Sequence, residues 1–178
     1  MSFTDAELIT RVLLHEDQNA FGELVRRHQS PVRGFLIKMT NGDTHLADDL
    51  AQETFVKAWK KLGAFRGEAK FSTWLFGIAH NEWRMNARGR KEVALEELEN
   101  PPPEPEQADA AASSHLRLDL AEAMKALTPA ECAAIVLCCQ NGLTHDEAAQ
   151  ALDCPLGTVK TNVLRGKEKL RRRLTVGT

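Results

Sequence analysis

Residues 144–174 read THDEAAQALDCPLGTVKTNVLRGKEKLRRRL, and this stretch decides the fold. Thr144-His145-Asp146-Glu147 is a capping box, in which the threonine hydroxyl and the glutamate carboxylate each satisfy a backbone N–H that the helix start leaves unpaired. The short helix it opens runs to Leu152. Asp153-Cys154-Pro155 then makes a tight turn, and Pro155 suits the first turn of a second helix reaching about Leu174. Two helices joined by so short a turn form a helix-turn-helix pattern. In the second helix Leu156, Val159, Val163, Leu170 and Leu174 share one stripe that can face a core. Thr158, Lys160, Thr161, Asn162 and Arg165 fall on the other side, where short polar and basic side chains can reach base edges and phosphates in a major groove. Gly157 and Lys167 on the same helix, with Thr144 and Pro155 at the helix starts, complete the candidate duplex-reading set. A basic amphipathic helix with a solvated charged face is the plainer alternative.

Upstream, Thr128-Pro129-Ala130-Glu131 is another capping box, and Asn141-Gly142 stops the helix it starts. That helix holds Cys132, Cys138 and Cys139, which read as small apolar packing residues. Before it, four of the seven prolines (Pro101, Pro102, Pro103, Pro105) sit in an acidic stretch with no large apolar side chain. Such a segment cannot bury enough surface to offset its ordering entropy. The expected organisation is a helical domain over 1–95, an extended acidic linker over 96–114 and a second helical domain over 115–178.

The first domain is also helical by pattern. Thr4-Asp5-Ala6-Glu7 caps a first helix, and a second opens near Asn19 and breaks near Ser30-Pro31. After the Asn41-Gly42-Asp43 turn, Ala47, Leu50, Ala51, Phe55, Ala58 and Leu62 recur at helical spacing. Ser72 is positioned to cap a last helix through about Arg88. Nothing alternates with a strand period, so the protein is expected to be all-α.

The 178 residues carry 23 basic and 25 acidic side chains, a net charge of −2 that would not suggest a nucleic-acid partner. Divided along the chain, the net is −4 over 1–56, +7 over 57–91, −11 over 92–153 and +6 over 154–178. Blocks of this size imply separate electrostatic partners. The ten aromatic residues all lie at or before Trp83, and seven of them fall within 54–91 beside nine of the basic residues. Cations interleaved with π-faces suit single-stranded nucleic acid, although most of these rings stand at helical core spacing. The loop Phe65–Lys70 is the better candidate for contact.

Asp48, Asp49, Gln52 and Glu53 make an acidic helix face that suits a protein-binding surface better than acid–base chemistry. His45 and His80 lack metal-ligand spacing, the four cysteines contain no Cys-x-x-Cys pair, and no phosphate loop or Ser/His/Asp grouping is present. No catalytic residue, metal or cofactor is called for. The start lacks a signal-peptide pattern, and the longest apolar run, Ala133–Cys139, is far short of the roughly 20 residues a membrane span needs. A cytoplasmic protein without membrane insertion is the expectation.

Two segments resemble a known family. Residues 47–59 (ADDLAQETFVKAW) and 71–81 (FSTWLFGIAHN) are similar to region two of bacterial sigma factors, in particular the extracytoplasmic-function (ECF) group. Residues 142–149 and 155–161 resemble region four, in the right order and with nearly the whole chain covered. The resemblance implies a promoter-specificity subunit of RNA polymerase with no catalytic site. Asp48, Asp49, Gln52, Glu53 and Lys57 would dock on the clamp coiled coil of the polymerase largest subunit, and the helix-turn-helix unit on the flap. Arg66, Lys70, Phe71, Trp74, Asn81, Arg84 and Arg88 would open and hold the minus-ten element, and the second helix of residues 144–174 would read the minus-thirty-five element. The acidic linker would thread a basic polymerase channel, and an anti-sigma factor would mask both domains. Two departures stand out. Cys132 replaces a usual arginine, which is expected to weaken a surface contact, and Gly166 replaces a common alanine, costing up to about 1 kcal/mol of helix propensity. A stand-alone helix-turn-helix regulator is the rival, but it leaves the acidic face and the aromatic-basic block without a role.

Overall fold

A computed structural model of the chain describes residues 3–96 and 115–175, and the linker expected over 96–114 lies, beyond Glu96, outside the described residues. The described elements are helical. The first unit comprises α1 (Asp5–His15), α2 (Gln18–Met39), α3 (Thr44–Lys61), a short 3₁₀ turn (Leu62–Ala64) and α4 (Phe71–Glu96). The second comprises α5 (His115–Met124), α6 (Pro129–Ile135) continued by a π turn (Val136–Gln140), α7 (His145–Leu152) and α8 (Leu156–Thr175).

The helix starts follow the sequence signals. Capping boxes form at Thr4–Glu7, Thr128–Glu131 and Thr144–Glu147. Asp17 and Asp43 cap α2 and α3 through their carboxylates. Asn41 and Gly42 both take positive φ, 54° and 95°, and so turn the chain between α2 and α3. Asp153, between α7 and α8, also lies in the left-handed region at φ 49°, a conformation that Asp tolerates better than most residues.

Three expectations are corrected. The break at Ser30-Pro31 does not occur, because α2 runs through Pro31 to Met39. Beyond the proline, Val32, Phe35, Leu36 and Met39 are all buried on one face. At about 1.5–3 kcal/mol for each large apolar side chain, their burial outweighs the roughly 3 kcal/mol that an interior proline costs. Ser72 does not cap α4, since the helix already starts at Phe71, with the Trp74 amide bonded to the Lys70 carbonyl at 3.1 Å. The same helix continues past Arg88 to Glu96.

The two units do not stand apart. Their buried side chains form one continuous cluster in which Phe35, Leu36 and Phe76 join Val136, Leu137, Ala151 and Val159. Phe35 and Phe76 meet edge to face at 5.6 Å between ring centres. Cys132 lies at the junction, 7% exposed, with its thiol donating to the Lys38 carbonyl at 3.8 Å. Burial pushes that thiol's pKa up to about 11. The departure at 132 is therefore buried between the units and loses no surface contact.

Gly166 has a packing reason. A Cβ there would lie 2.7 Å from Cγ1 of Ile135, so the glycine lets α8 approach α6. Gly166→Ala should thus destabilise the protein by about 1–3 kcal/mol despite alanine's better propensity. Thermal unfolding of Gly166→Ala beside the wild type checks this, and an unchanged or raised Tm would show that Ile135 moves aside without cost.

Candidate nucleic-acid interface and docking groove

The α8 helix sorts its residues as its sequence periodicity requires. Val159 and Val163 are buried at 0% and 5% exposure, with Gly166 buried one turn on. Thr158, Lys160, Thr161, Arg165 and Lys167 are exposed, and Asn162 is half-buried. Leu174 leaves the core stripe at 38% exposure. The Thr161 hydroxyl bonds back to the Gly157 carbonyl at 2.8 Å. Lys169 reaches over to Glu131 at 2.7 Å, which ties α8 to the capping box of α6. The cationic face is therefore carried on a rigidly seated helix.

A second concave surface lies between α2 and α3, a groove of about 810 Å³. Its walls are Phe21, Val25, Ala51, Phe55, Val56 and Trp59, with Asp48, Gln52 and Arg33 among its polar residues. Phe21 and Trp59 meet edge to face at 4.9 Å. Trp59 and Val56 are 39% and 38% exposed, which is high for large apolar side chains. Asp48 takes Nε and Nη2 of Arg33 at 2.5 and 3.2 Å, and this pairing holds its carboxyl below the usual range. Asp49 and Glu53 stand exposed beside them on α3.

The acidic face of α3 is legible in the sequence, whereas the apolar floor beside it is not: Phe55 and Trp59 fall among the rings expected to stack on bases or pack in the core. A signal was present, because adding Val56 and Trp59 makes the apolar arc of α3 too wide for one buried face. Lys57 has its ammonium 2.5 Å from Glu82, a carboxylate only 6% exposed, and the pair ties α3 to α4.

The third surface runs along the 65–70 loop and α4. It includes a cleft of about 470 Å³ lined by Phe65, Arg66, Trp74, Asn81 and, from α7, Gln150 and Ala151. Arg66, Lys70, Asn81 and Arg88 are exposed, whereas Trp74 and Arg84 are half-buried. Phe71 is corrected: at 4% exposure it packs against His28, Phe65 and Trp74, with ring centres 5.3–5.7 Å apart. It supports the loop and offers no face to a base. Gly67 turns the loop at φ 72°. His80 lies flat on Trp83 at 5.9 Å, and burial, helped by Arg84, lowers its pKa to about 4.

Among the described residues no helix is long and apolar enough to cross a membrane. The family model for sigma-70 region 2 matches residues 24–93, and that for sigma-70 region 4 matches residues 117–170. The chain is 32% identical to an ECF RNA polymerase sigma-E factor of Haemophilus influenzae, over 96% of this chain and 95% of that protein. It is 31% identical to the RNA polymerase sigma-H factor of Pseudomonas aeruginosa, over 96% and 93%. Among solved structures it is similar to the sigma factor RpoE in complex with the anti-sigma factor NepR from Bartonella quintana, with a TM-score of 0.76, 26% identity and coverage of 89% of this chain and 98% of that one. It is likewise similar to CnrH in complex with the cytosolic domain of CnrY, with a TM-score of 0.71, 28% identity and coverage of 98% and 99%. A region-2 helical unit followed by a region-4 helix-turn-helix unit is the make-up of a sigma-70-type initiation factor. The chain belongs to the ECF sigma factors of RNA polymerase.

Proposed function

We propose that the chain divides the work of a sigma factor among these three surfaces and carries no catalytic site of its own. The α2–α3 groove takes the clamp coiled coil of core polymerase, with Trp59 and Val56 supplying apolar contact and Asp48, Asp49, Gln52 and Glu53 the charge. The 65–70 loop and the exposed side of α4 hold the opened minus-ten strand, using Arg66, Lys70, Asn81, Arg84 and Arg88 for phosphates and Trp74 for stacking. Single-strand capture there offsets the few kcal/mol that unpairing and flipping a base costs. The α8 face, carrying Thr158, Lys160, Thr161, Asn162 and Arg165, reads the minus-thirty-five duplex in the major groove, and Lys167 adds a phosphate contact. Thr144, Pro155 and Gly157 set the two helix starts that aim it. The acidic segment 97–114 suits a basic channel of the polymerase, and the second unit docks on the flap. An anti-sigma factor restrains the chain, a reading supported by the similar sigma factor RpoE in complex with the anti-sigma factor NepR, and the whole cycle takes place in the cytoplasm.

The observation that carries this reading is that the groove and the 65–70 cleft share no lining residue. Polymerase and the opened strand can therefore be held at separate places on the chain. The direct test is transcription in vitro with core polymerase and a cognate promoter, where initiation should depend on the chain. Asp49→Ala with Glu53→Ala should weaken core binding by roughly 5–30-fold, as expected for two rim charges, and leave duplex binding intact. Unchanged polymerase affinity in that variant would count against the docking face.

A further inference from the structure

The cleft of about 470 Å³ beside the 65–70 loop takes its walls from both units, because α7 contributes Gln150 and Ala151. Where the units cross, side chains are nearly absent: a Cβ at Gly77 would lie 3.5 Å from the Ala151 carbonyl oxygen. Around that crossing the lining is aromatic and polar. Phe65 and Trp74 offer π-faces, with ring centres 5.2 Å apart. Asn81 of α4 and Gln150 of α7 bring two exposed carboxamides to the same space. Asn81 donates one N–H to the Met85 sulfur at 3.5 Å, which leaves its carbonyl oxygen and second N–H for another partner. Arg66 and Lys61 are exposed and have no ion-pair partner among the described residues. Of the two carboxylates in the lining, Glu82 is neutralised by Lys57 and only Glu68 is left, so the rim is net positive. Thr73 lines the cleft as well. It is 1% exposed, and its hydroxyl is the buried side-chain polar atom without a hydrogen-bond partner among the described residues. Holding a hydroxyl out of water unpaired is unfavourable, and a polar ligand in the cleft would supply the missing partner.

We propose that this cleft is a binding site for a free purine nucleotide, completed by the second unit. The base stacks on Trp74 and Phe65, as unpaired bases do on aromatic side chains. A purine covers more of the two rings than a pyrimidine does. Asn81 and Gln150 pair with the donors and acceptors along its edge, the chemistry that makes carboxamides readers of adenine. Arg66 and Lys61 take the phosphate, and the Thr73 hydroxyl pairs with the ligand at the inner end. The volume falls within the roughly 300–1,000 Å³ of small-molecule sites, and a seam between two units is a common place for one. Because Gln150 belongs to α7, the complete site exists only with the two units together. Arg66, Trp74 and Asn81 also serve the promoter-strand face, so nucleotide and opened strand exclude each other. That exclusion, but not the site itself, rests on the reading of residues 65–91 as the promoter-strand face.

The test titrates the full chain with adenosine 5′-monophosphate (AMP) by calorimetry, beside ribose 5-phosphate and inorganic phosphate as probes without a base. AMP should saturate a single site with a Kd of roughly 10–300 μM. Ribose 5-phosphate should bind at least about fivefold more weakly, since it loses the stacking. Gln150→Ala and Thr73→Val should each weaken AMP by roughly fivefold, with helicity unchanged by circular dichroism. Thr73→Val should also raise the Tm of the ligand-free chain, because it removes the unpaired hydroxyl, and Thr73→Ser should keep the wild-type affinity. Three results would overturn the site. The first is no saturable AMP binding up to about 3 mM, tenfold above the weakest Kd expected. The second is ribose 5-phosphate binding as tightly as AMP, which would mean an adventitious anion only on Arg66 and Lys61. The third is wild-type AMP affinity in Gln150→Ala or in Thr73→Val, because the ligand would then lie elsewhere or on the first unit alone. Single-stranded minus-ten DNA should displace bound AMP. AMP that binds as expected but is not displaced would remove the strand reading and leave the nucleotide site. Initiation that needs a chain unable to bind AMP would remove the site and leave the sigma-factor reading standing.

Discussion

Alanine at both Lys160 and Arg165 should lower promoter-directed initiation by at least roughly thirtyfold, since each well-placed base or phosphate contact contributes about 1–3 kcal/mol. Both side chains are exposed on α8, on the side away from the buried Val159 and Val163, so their removal leaves the helix's packing untouched. Core binding through the α2–α3 groove should be unaffected, because no α8 residue lines it. The two variants also separate in salt. Lys160→Ala should reduce the slope of log affinity against log salt by about one phosphate equivalent. Arg165→Ala should relax base preference if the guanidinium reads a base edge. Promoter affinity and core affinity are measured on the same preparations, and equal loss of both would show that α8 had been damaged rather than disarmed.

The second large effect is acid destabilisation through His80. Its pKa is lowered from 6.5 to about 4, mainly by burial. The unfolded chain therefore binds this proton more tightly than the folded one, and stability rises with pH between those two values. In the other direction, stability is intact above pH 6.5 and falls as pH drops towards 4, by about 3 kcal/mol when the whole interval is crossed. His80→Gln should flatten that part of the urea-unfolding profile. A variant losing as much stability as the wild type between pH 6.5 and 4 would place the titration elsewhere.

Much of the fold was legible because it is encoded locally. The three capping boxes, the Asn41-Gly42 turn and the α8 stripe are short-range patterns in which hydrogen bonding and periodicity act within a few residues. Pro31 misled because a local breaker was overridden by the burial of Val32, Phe35, Leu36 and Met39, and that burial is decided by the rest of the bundle. Exposed charge was legible too: Lys160, Arg165, Asp49 and Glu53 stand on the surface, as their helix positions require. The candidate site was illegible where a side chain's role depends on its neighbour. Lys57 reads as part of the acidic face's charge pattern, and its pairing with Glu82, 25 residues on, shows only in the fold. Phe71 looked like a stacking ring until His28, Phe65 and Trp74 enclosed it. The contact between units was equally silent, since Gly77 and Ala151 are merely small residues until two helices are laid across each other.

The left-handed turn at Asp153 has a mechanical consequence. It is the pivot from which α8 projects, and α8 is 20 residues long, or about 30 Å at 1.5 Å per residue. Farther along, the packing of Gly166 against Ile135 and the Lys169–Glu131 pair fix the helix to α6, so its direction is set at both ends. Thr158 and Lys160, the residues proposed to meet bases, lie within about 6 Å of the start of the helix along its axis, where an error in its direction displaces them least.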